Sequence, residues 1–580
     1  MTPVSTVRLF LIGTLLGALG LWPGEAQAGR TKLDRELQRL VDAGSSATHR
    51  VIVRAVPGKR SALKTRLAAK KEPVNREFPK IDAVVSEVPG ADLLPLSDDP
   101  SVVSISIDAP LKGHAEPGTP AGLPYSLSNS LGVSTSIYTG ANIGVAVVDS
   151  GIYRSTEFSK VAAYYDFRTD GRTNSSSGDL YGHGTHVAGL IAGTGTKSPG
   201  GTYEGVAPGV RLIDLRVLDS TGGGLTSMVI SAIDYAIANK GSLGIDIINM
   251  SLGHPIYEPA SSDPLVAAVE AAVRAGIVVV VSAGNVGVNP ATGLPGYGGI
   301  TSPGNAPSAI TVGATRTQST NTRLDDTVAE YSSRGPSWYD GYAKPDLVAP
   351  GHQDVSASAS GSTLYTTYPQ LLLPATNGLY LYMKLSGTSM ATGVVSGAAA
   401  MVLEASRKAF PTAPRLAPNA VKAMLMFTAV RLGTIDNLTQ GAGSLNPVGA
   451  LDLATSVDPA TATGQMWLTS GVPETSLVDG TQLTWGQNIV WGDNIVWGDS
   501  VYYNQTAWAS NIVWGDNIVW GDNIVWGDNI VWGDTFKAVW TNNIVWGDTY
   551  LGLQGSNIVW GDTSTSQAFS RSLTVMTTAR

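Results

Sequence analysis

The chain contains no cysteine, which excludes disulfide staples, thiolate metal sites and a cysteine nucleophile. A secreted protein of this composition has to be held together by packing, with bound ions as the one remaining aid. Long apolar runs are equally scarce. Beyond Leu9–Trp22, no stretch is long and apolar enough to span a bilayer. Net positive charge is also missing. The 38 Lys and Arg against 46 Asp and Glu leave a formal charge of −8, which argues against general nucleic-acid binding. At 580 residues the chain exceeds a single hydrophobic core, so two to four domains are expected.

What is present divides the chain into segments. Arg8, the apolar run Leu9–Trp22 and the small-residue site Ala26-Gln27-Ala28 read as an export signal over 1–28, so a secreted protein is expected, extracellular or associated with the cell surface. The alternative is an uncleaved anchor, but the run is short for a span. Residues 30–80 then hold 14 Lys/Arg against 5 Asp/Glu, whereas 81–580 hold 23 against 40. A basic segment preceding an acidic body suggests that the first docks on the second, although a solvated helical face would give the same count. Patterning predicts helices over 33–41 and 60–71 and strands over 51–56, 83–88 and 102–107, a small α+β unit. The Gly- and Pro-rich stretch 113–124 reads as an accessible linker.

From about 125 to 455 short, continuously apolar runs at 143–148, 212–218, 245–249 and 277–281 alternate with helical stretches at 183–192, 225–239 and 264–275. Such runs suit strands buried on both faces of a parallel sheet covered by helices. Catalytic groups then gather at the carboxyl ends of the strands. Asp149 and Asn285 both follow such a run.

Three strings in this region carry chemistry. They are Val147-Val148-Asp149-Ser150-Gly151, Gly182-His183-Gly184-Thr185-His186-Val187 and Gly387-Thr388-Ser389-Met390-Ala391. A serine hydroxyl needs a base within reach, the base needs an acceptor on its other ring nitrogen, and a buried strand-end carboxylate supplies one. Ser389 opens a small-residue run that reads as a helix, whose positive end favours a developing anion. His186 is three residues from His183, without the i,i+4 spacing or third ligand of a metal site, and reads as structural.

These strings resemble those of the subtilisin-like serine peptidases, the subtilases, over residues 143–450. The resemblance implies an α/β fold with a mostly parallel sheet flanked by helices, and a serine endopeptidase acting through an acyl-enzyme. It implies Asp149 as orienting acid, His183 as base, Ser389 as nucleophile and Asn285 as oxyanion donor. It also implies an edge strand Ser251-Leu252-Gly253 and an opposing segment Gly222-Gly223-Gly224 that grip an extended peptide. Ser282, Ala283, Gly284 and Thr301-Ser302-Pro303 would line the pocket for the residue before the scissile bond. Residues 29–113 resemble the family's propeptide, a folding helper that blocks the cleft until removed, with maturation expected between 108 and 124. Two departures stand out: Gly393-Val394 replaces the usual Pro-His after the nucleophile, and the family's asparagine-rich calcium loop is not recognisable in Gly193–Glu204. No cofactor is expected for the chemistry. A structural calcium ion is compatible with the sequence, but its ligands are not assignable.

The tail is of another kind. Asn-Ile-Val-Trp-Gly-Asp occurs in eight identical copies between 488 and 562, with degenerate copies at 482–487, 505–510 and 537–542. The even period keeps Ile and Trp on one face of an extended chain, and Gly-Asp supplies turns. A β-rich hexapeptide-repeat module over 482–562 is therefore expected, stacked or meandering, after a linker at 456–481 and before a tail at 563–580. Eleven of the fourteen Trp lie in 485–560. That leaves a cap or spacer, attachment to a glycan or cell surface, and disorder as readings of the tail. A surface- or glycan-binding protein with an idle protease domain is the rival function, and acyl transfer to an amine instead of water is a third. The partners expected are polypeptide substrates, the chain's own propeptide and that surface.

Overall fold

The apolar runs of the middle segment form the expected sheet. Seven strands run parallel in the order Val161–Asp166, Arg211–Arg216, Gly144–Asp149, Ile247–Met250, Val278–Ser282, Ile310–Arg316 and Leu347–Pro350. Thr173–Asn174 and Thr327–Val328 add short antiparallel pairings near the edges. This computed structural model describes residues 32–502 and 504, apart from 115, 118–124, 159, 170–171, 175–177, 290–291, 492–493 and 498, together with 530–531, 544–546 and 558–560. The expected export signal, the degenerate repeats at 505–510 and 537–542, and the tail at 563–580 lie outside the described residues.

The strand Gly144–Asp149 is buried along its whole length, and its side chains divide between two cores. Val145 and Val147 face the cluster built on the helices His183–Ala192 and Thr388–Ala409. Ala146 and Val148 face the cluster built on Thr226–Ala238 and Pro264–Arg274. Burial on both faces is what a run without polar alternation requires. Contrary to the sequence reading, Thr388–Ala409 spans 22 residues and is apolar enough to cross a membrane by length and composition, but its residues 388–406 are buried inside the protein. A helix that is apolar all round belongs to a core.

The N-terminal unit is a four-stranded antiparallel sheet, ordered Val74–Phe78, Ala83–Pro89, Thr48–Ala55 and Val102–Ile107. It carries the helices Arg35–Asp42, Arg60–Ala69 and Gly90–Ser97. Sequence patterning missed the strand Val74–Phe78 and the helix Gly90–Ser97. The strand is polar because it faces a partner surface: Arg76 donates to the Ser227 carbonyl at 3.1 Å and to Ser231 Oγ at 2.5 Å. The helix opens on Gly90 and contains Pro95, both poor helix formers.

This unit sits on Thr226–Ala238 and Pro264–Arg274, with Ile52, Phe78, Ile81 and Val85 entering the same apolar cluster as those helices. The basic side chains that cross the boundary reach backbone carbonyls: Arg54 donates to Ser261 and Ser262 at 2.8 and 3.1 Å. An acidic residue of the unit does related work. The first turn of Thr226–Ala238 has no capping side chain of its own. Asp108 accepts from Ser227 N at 2.7 Å and from Ser227 Oγ at 2.6 Å. A carboxylate at a helix N-terminus contributes about 0.5–2 kcal/mol.

Residues 456–481 were expected to be a linker and are instead packed structure. A hairpin pairs Thr475–Val478 with Thr481–Thr484, and Val457 bridges Leu468. Trp485 is 3% exposed, lies edge-on to Phe427 at 6.3 Å and donates its indole N–H to Ser476 Oγ at 2.9 Å. Gly486 and Gln487 donate backbone N–H groups to the carbonyls of Ala429 and Phe427 at 2.7 and 2.9 Å. Trp485 of the degenerate first repeat is therefore part of the core. Trp485→Ala is expected to destabilise the catalytic unit by about 3–5 kcal/mol, read as a lower melting temperature of the full chain by calorimetry. An unchanged melting temperature would show the tail to be energetically separate.

Among the repeats, Asn488–Trp491 and Asn494–Trp497 pair antiparallel. Further on, Ile530–Val531, Ile544–Trp546 and Ile558–Trp560 pair in parallel with Ile opposite Ile.

Candidate active site

Asp149 ends the central strand, and its carboxylate leaves a rigid element. His183 opens the next helix. Gly184 lets that helix sit against the strand: a Cβ at this position would lie 2.3 Å from the Gly151 carbonyl oxygen and 3.1 Å from Asp149 Cβ. The result is a hydrogen bond of 2.7 Å from His183 Nδ1 to Asp149 Oδ1, between two side chains with no solvent exposure. Ser150 N donates to the same carboxylate oxygen at 2.7 Å. Burial is the largest influence on His183 and opposes its protonation. The Asp149 charge, its hydrogen bond and the charge of Asp179 together exceed it, and the His183 pKa is raised above the ordinary imidazole value.

Ser389 is the second residue of Thr388–Ala409 and is buried. Its hydroxyl donates to the Ser251 carbonyl at 2.9 Å, while His183 Nε2 has no hydrogen-bond partner. A continuous Asp–His–Ser relay was expected, so only its first link is made. The cleft is occupied. The chain's own segment Pro110–Gly113 lies there as a strand, antiparallel to Gly223–Leu225 on one side and to Leu252–Pro255 on the other. Gly113 packs on the His183 ring, where a Cβ would come within 3.2 Å of Nδ1 and Cε1.

The residue that follows, His114, is placed as a reacting group would be. Its carbonyl oxygen accepts from Asn285 Nδ2 at 3.0 Å and from Ser389 N at 3.4 Å. The Asn285 amide is aimed by its other end, because Oδ1 accepts from Thr388 N at 3.0 Å and Thr388 Oγ1 at 2.9 Å. His114 N donates to the Ser251 carbonyl at 3.2 Å, and Gly113 N donates to the Gly222 carbonyl at 3.2 Å. Beyond His114, Glu116–Pro117 pairs with the strand Tyr380–Ser386.

The remaining expected site residues surround this segment. Leu252 faces Gly113 and Gly253 faces Lys112, while Gly223 and Gly224 face Lys112 and Leu111. Gly253 is needed for close approach, since a Cβ there would lie 2.6 Å from the Ser302 carbonyl oxygen and 2.8 Å from His114 Cε1. Ser282 Oγ shares a hydrogen bond of 2.8 Å with His114 Nδ1. Thr301 N donates to the Ala283 carbonyl at 3.0 Å, and a Cβ on Gly284 would meet Ser333 Oγ and Thr301 Cγ2 at 2.9 Å. Sequence reasoning named both segments that flank Pro110–Gly113 but missed His114 and Thr388. A histidine inside a Gly/Pro-rich stretch carries no local pattern, and Thr388 acts only through contacts distant in sequence.

His186 is a packed residue. Its Nε2–H donates to the carbonyls of Met383 and Asp354 at 3.0 and 3.2 Å, and burial pushes its pKa down to about 3. Among the described residues no group of three or more His, Asp or Glu side chains is arranged to hold a metal ion.

Comparison with known proteins bears on this geometry. The Subtilase family model matches residues 140–450. The chain belongs to the subtilase family. It is a serine-type endopeptidase, and subtilase catalysis requires no cofactor. It is 34% identical to serine protease AprX of Bacillus subtilis (strain 168) over 65% of this chain and 80% of that protein. It is also 34% identical to subtilisin DY of Bacillus licheniformis, over 56% of this chain and 96% of that one. An extracellular serine proteinase of a Thermus strain is 36% identical over 63% and 73% of the two chains. Among solved structures, fervidolysin from Fervidobacterium pennivorans, described as a keratinolytic enzyme related to subtilisin, superposes with a TM-score of 0.55 at 24% identity. That match covers 70% of this chain and 61% of the other, and at this identity it shows the fold alone.

Proposed function

We propose that this subtilase is a secreted endopeptidase, made as an autoinhibited precursor that cuts itself after His114, within the stretch 108–124 expected for maturation. The observation that carries the reading is the His114 carbonyl, held by Asn285 and Ser389 N in a cleft filled by the chain's own strand. In this reading Ser389 Oγ turns from the Ser251 carbonyl to His183 Nε2 and gives up its proton there as the oxygen attacks the His114 carbonyl carbon. The carbonyl oxygen becomes an oxyanion held by the Asn285 amide and the Ser389 backbone N–H. His183, now an imidazolium facing Asp149, gives the proton to the departing amine. Water then attacks the ester, with His183 again as base, and Ser389 is restored. Residues 29–114, one residue beyond the expected 29–113, then act as propeptide: their last strand stays hydrogen-bonded on both sides after the cut and keeps other peptides out. The export signal over 1–28, and a relative named as extracellular, support secretion.

A fluorophosphonate probe tests the nucleophile. We expect a single adduct on Ser389, found by peptide mapping, in protein freed of residues 29–114, and little in the uncut chain, whose cleft is filled. An adduct on another serine, or equal labelling of the Ser389→Ala protein, would end the reading.

A further inference from the structure

In the place a substrate would occupy, the chain puts an imidazole. We infer that the pocket before the scissile bond is built for a neutral histidine, so that the substrates cut best carry histidine just before the bond and leucine three residues earlier. This rests on the peptidase reading above and adds to it the class of substrate.

Three features of the pocket converge on this ring. Ser282, at the end of the strand Val278–Ser282, has no solvent exposure, and its hydroxyl bonds His114 Nδ1 at 2.8 Å. A buried hydroxyl without a partner is costly, so an apolar residue in this pocket leaves Ser282 unsatisfied. The pocket is also tight around the ring: a Cβ on Gly253 would lie 2.8 Å from His114 Cε1 and 2.8 Å from Thr301 Oγ1. Finally, the titratable groups acting on the ring are His183, on the helix His183–Ala192, and His254, on the strand Leu252–Pro255. Both oppose a positive charge, and among the described groups no carboxylate acts on it. Burial, reinforced by these two residues, pushes the His114 pKa down to about 3. Lysine or arginine would bring a charge with no counter-ion to meet it. Three residues earlier, Leu111 is 1% exposed within the cluster that holds Leu218, Val229 and Leu252, whereas Lys112 between them is exposed.

Histidine recognition of this kind has a pH signature. A free peptide histidine titrates near 6.5, and the pocket takes only the neutral form. The rate on a histidine substrate relative to a phenylalanine substrate therefore falls as pH drops through 6.5, and the titration of His183, common to both, cancels in the ratio. Between pH 7.5 and pH 5 the neutral fraction falls by roughly thirtyfold.

The test uses the full-length protein after self-processing and three fluorogenic peptides, Leu-Lys-Gly-His, Leu-Lys-Gly-Phe and Leu-Lys-Gly-Lys, each carrying the dye at its C-terminus. We expect kcat/KM for the histidine peptide to exceed the other two by about tenfold at pH 7.5, the worth of one good hydrogen bond. The His:Phe ratio should fall roughly thirtyfold by pH 5, and Ser282→Ala should collapse that ratio towards one at pH 7.5. Equal or better cleavage of the Phe or Lys peptide, or a ratio that does not move with pH, overturns the inference. So does an enzyme that digests casein and leaves the histidine peptide intact. Failure to digest casein at all would instead bring down the peptidase reading, and the inference with it.

Discussion

Replacing Ser389 by alanine leaves the chain uncut after His114. Secreted wild-type protein should give two polypeptides, one ending at His114 and one beginning at Ala115, whereas the Ser389→Ala protein should give a single one. Intact mass and N-terminal sequencing distinguish the two outcomes. The expectation follows from position. The His114 carbonyl already accepts from Asn285 Nδ2 at 3.0 Å and from Ser389 N at 3.4 Å, so the methyl side chain leaves the bound segment in place and removes only the attacking oxygen. In subtilisin, loss of this nucleophile costs about 10⁶ in kcat, and the oxyanion donors and binding leave a residual rate over water of about 10³–10⁴. Processing of the alanine protein at the wild-type rate would mean that another protease makes the cut and that the threaded geometry has another purpose.

The second large effect is expected from Asp149→Asn. The carboxylate accepts from His183 Nδ1 at 2.7 Å, both side chains being without solvent exposure; in the proposed mechanism it fixes which ring nitrogen carries the proton and stabilises the imidazolium that forms during attack. An amide can present its NH₂ to Nδ1, which stabilises the wrong tautomer and leaves Nε2 protonated and unable to act as base. A loss of about 10⁴ in kcat is expected. The pH profile carries a second sign. Asp149 is what lifts His183 above the ordinary imidazole value against the opposing effect of burial, so its loss lowers the His183 pKa. The base must be neutral to act, and the acid limb of residual activity therefore moves to lower pH. An acid limb that stays in place, or moves up, would remove Asp149 from the role.

Much of this was legible in the chain itself, for physical reasons. Residues 143–148 are apolar without interruption because the strand is buried on both faces, and the sequence-based boundary lies within one residue of the observed Gly144–Asp149. The helix expected over 183–192 has those bounds. The three strings at Asp149, His183 and Ser389 are readable because each is a local arrangement of a functional residue among small ones. What was not legible depends on contacts far apart in sequence. The strand Val74–Phe78 is polar because Arg76 reaches Ser231, 155 positions away. Segment 456–481 lacks periodicity yet is tied in by the Trp485 indole on Ser476, by pairing of Thr475–Val478 with Thr481–Thr484 and by the Val457–Leu468 bridge. The Ser389 hydroxyl points to the Ser251 carbonyl and not to His183, which no spacing of residues encodes.

The strand Pro110–Gly113 belongs to the same polypeptide as Ser389, so electrophile and nucleophile arrive together at an effective concentration that no external peptide matches. If the chain cuts itself as proposed, the initial scission is kinetically first-order: diluting the protein leaves its half-life unchanged. Every later turnover is a bimolecular encounter, and its rate scales with how much enzyme is present.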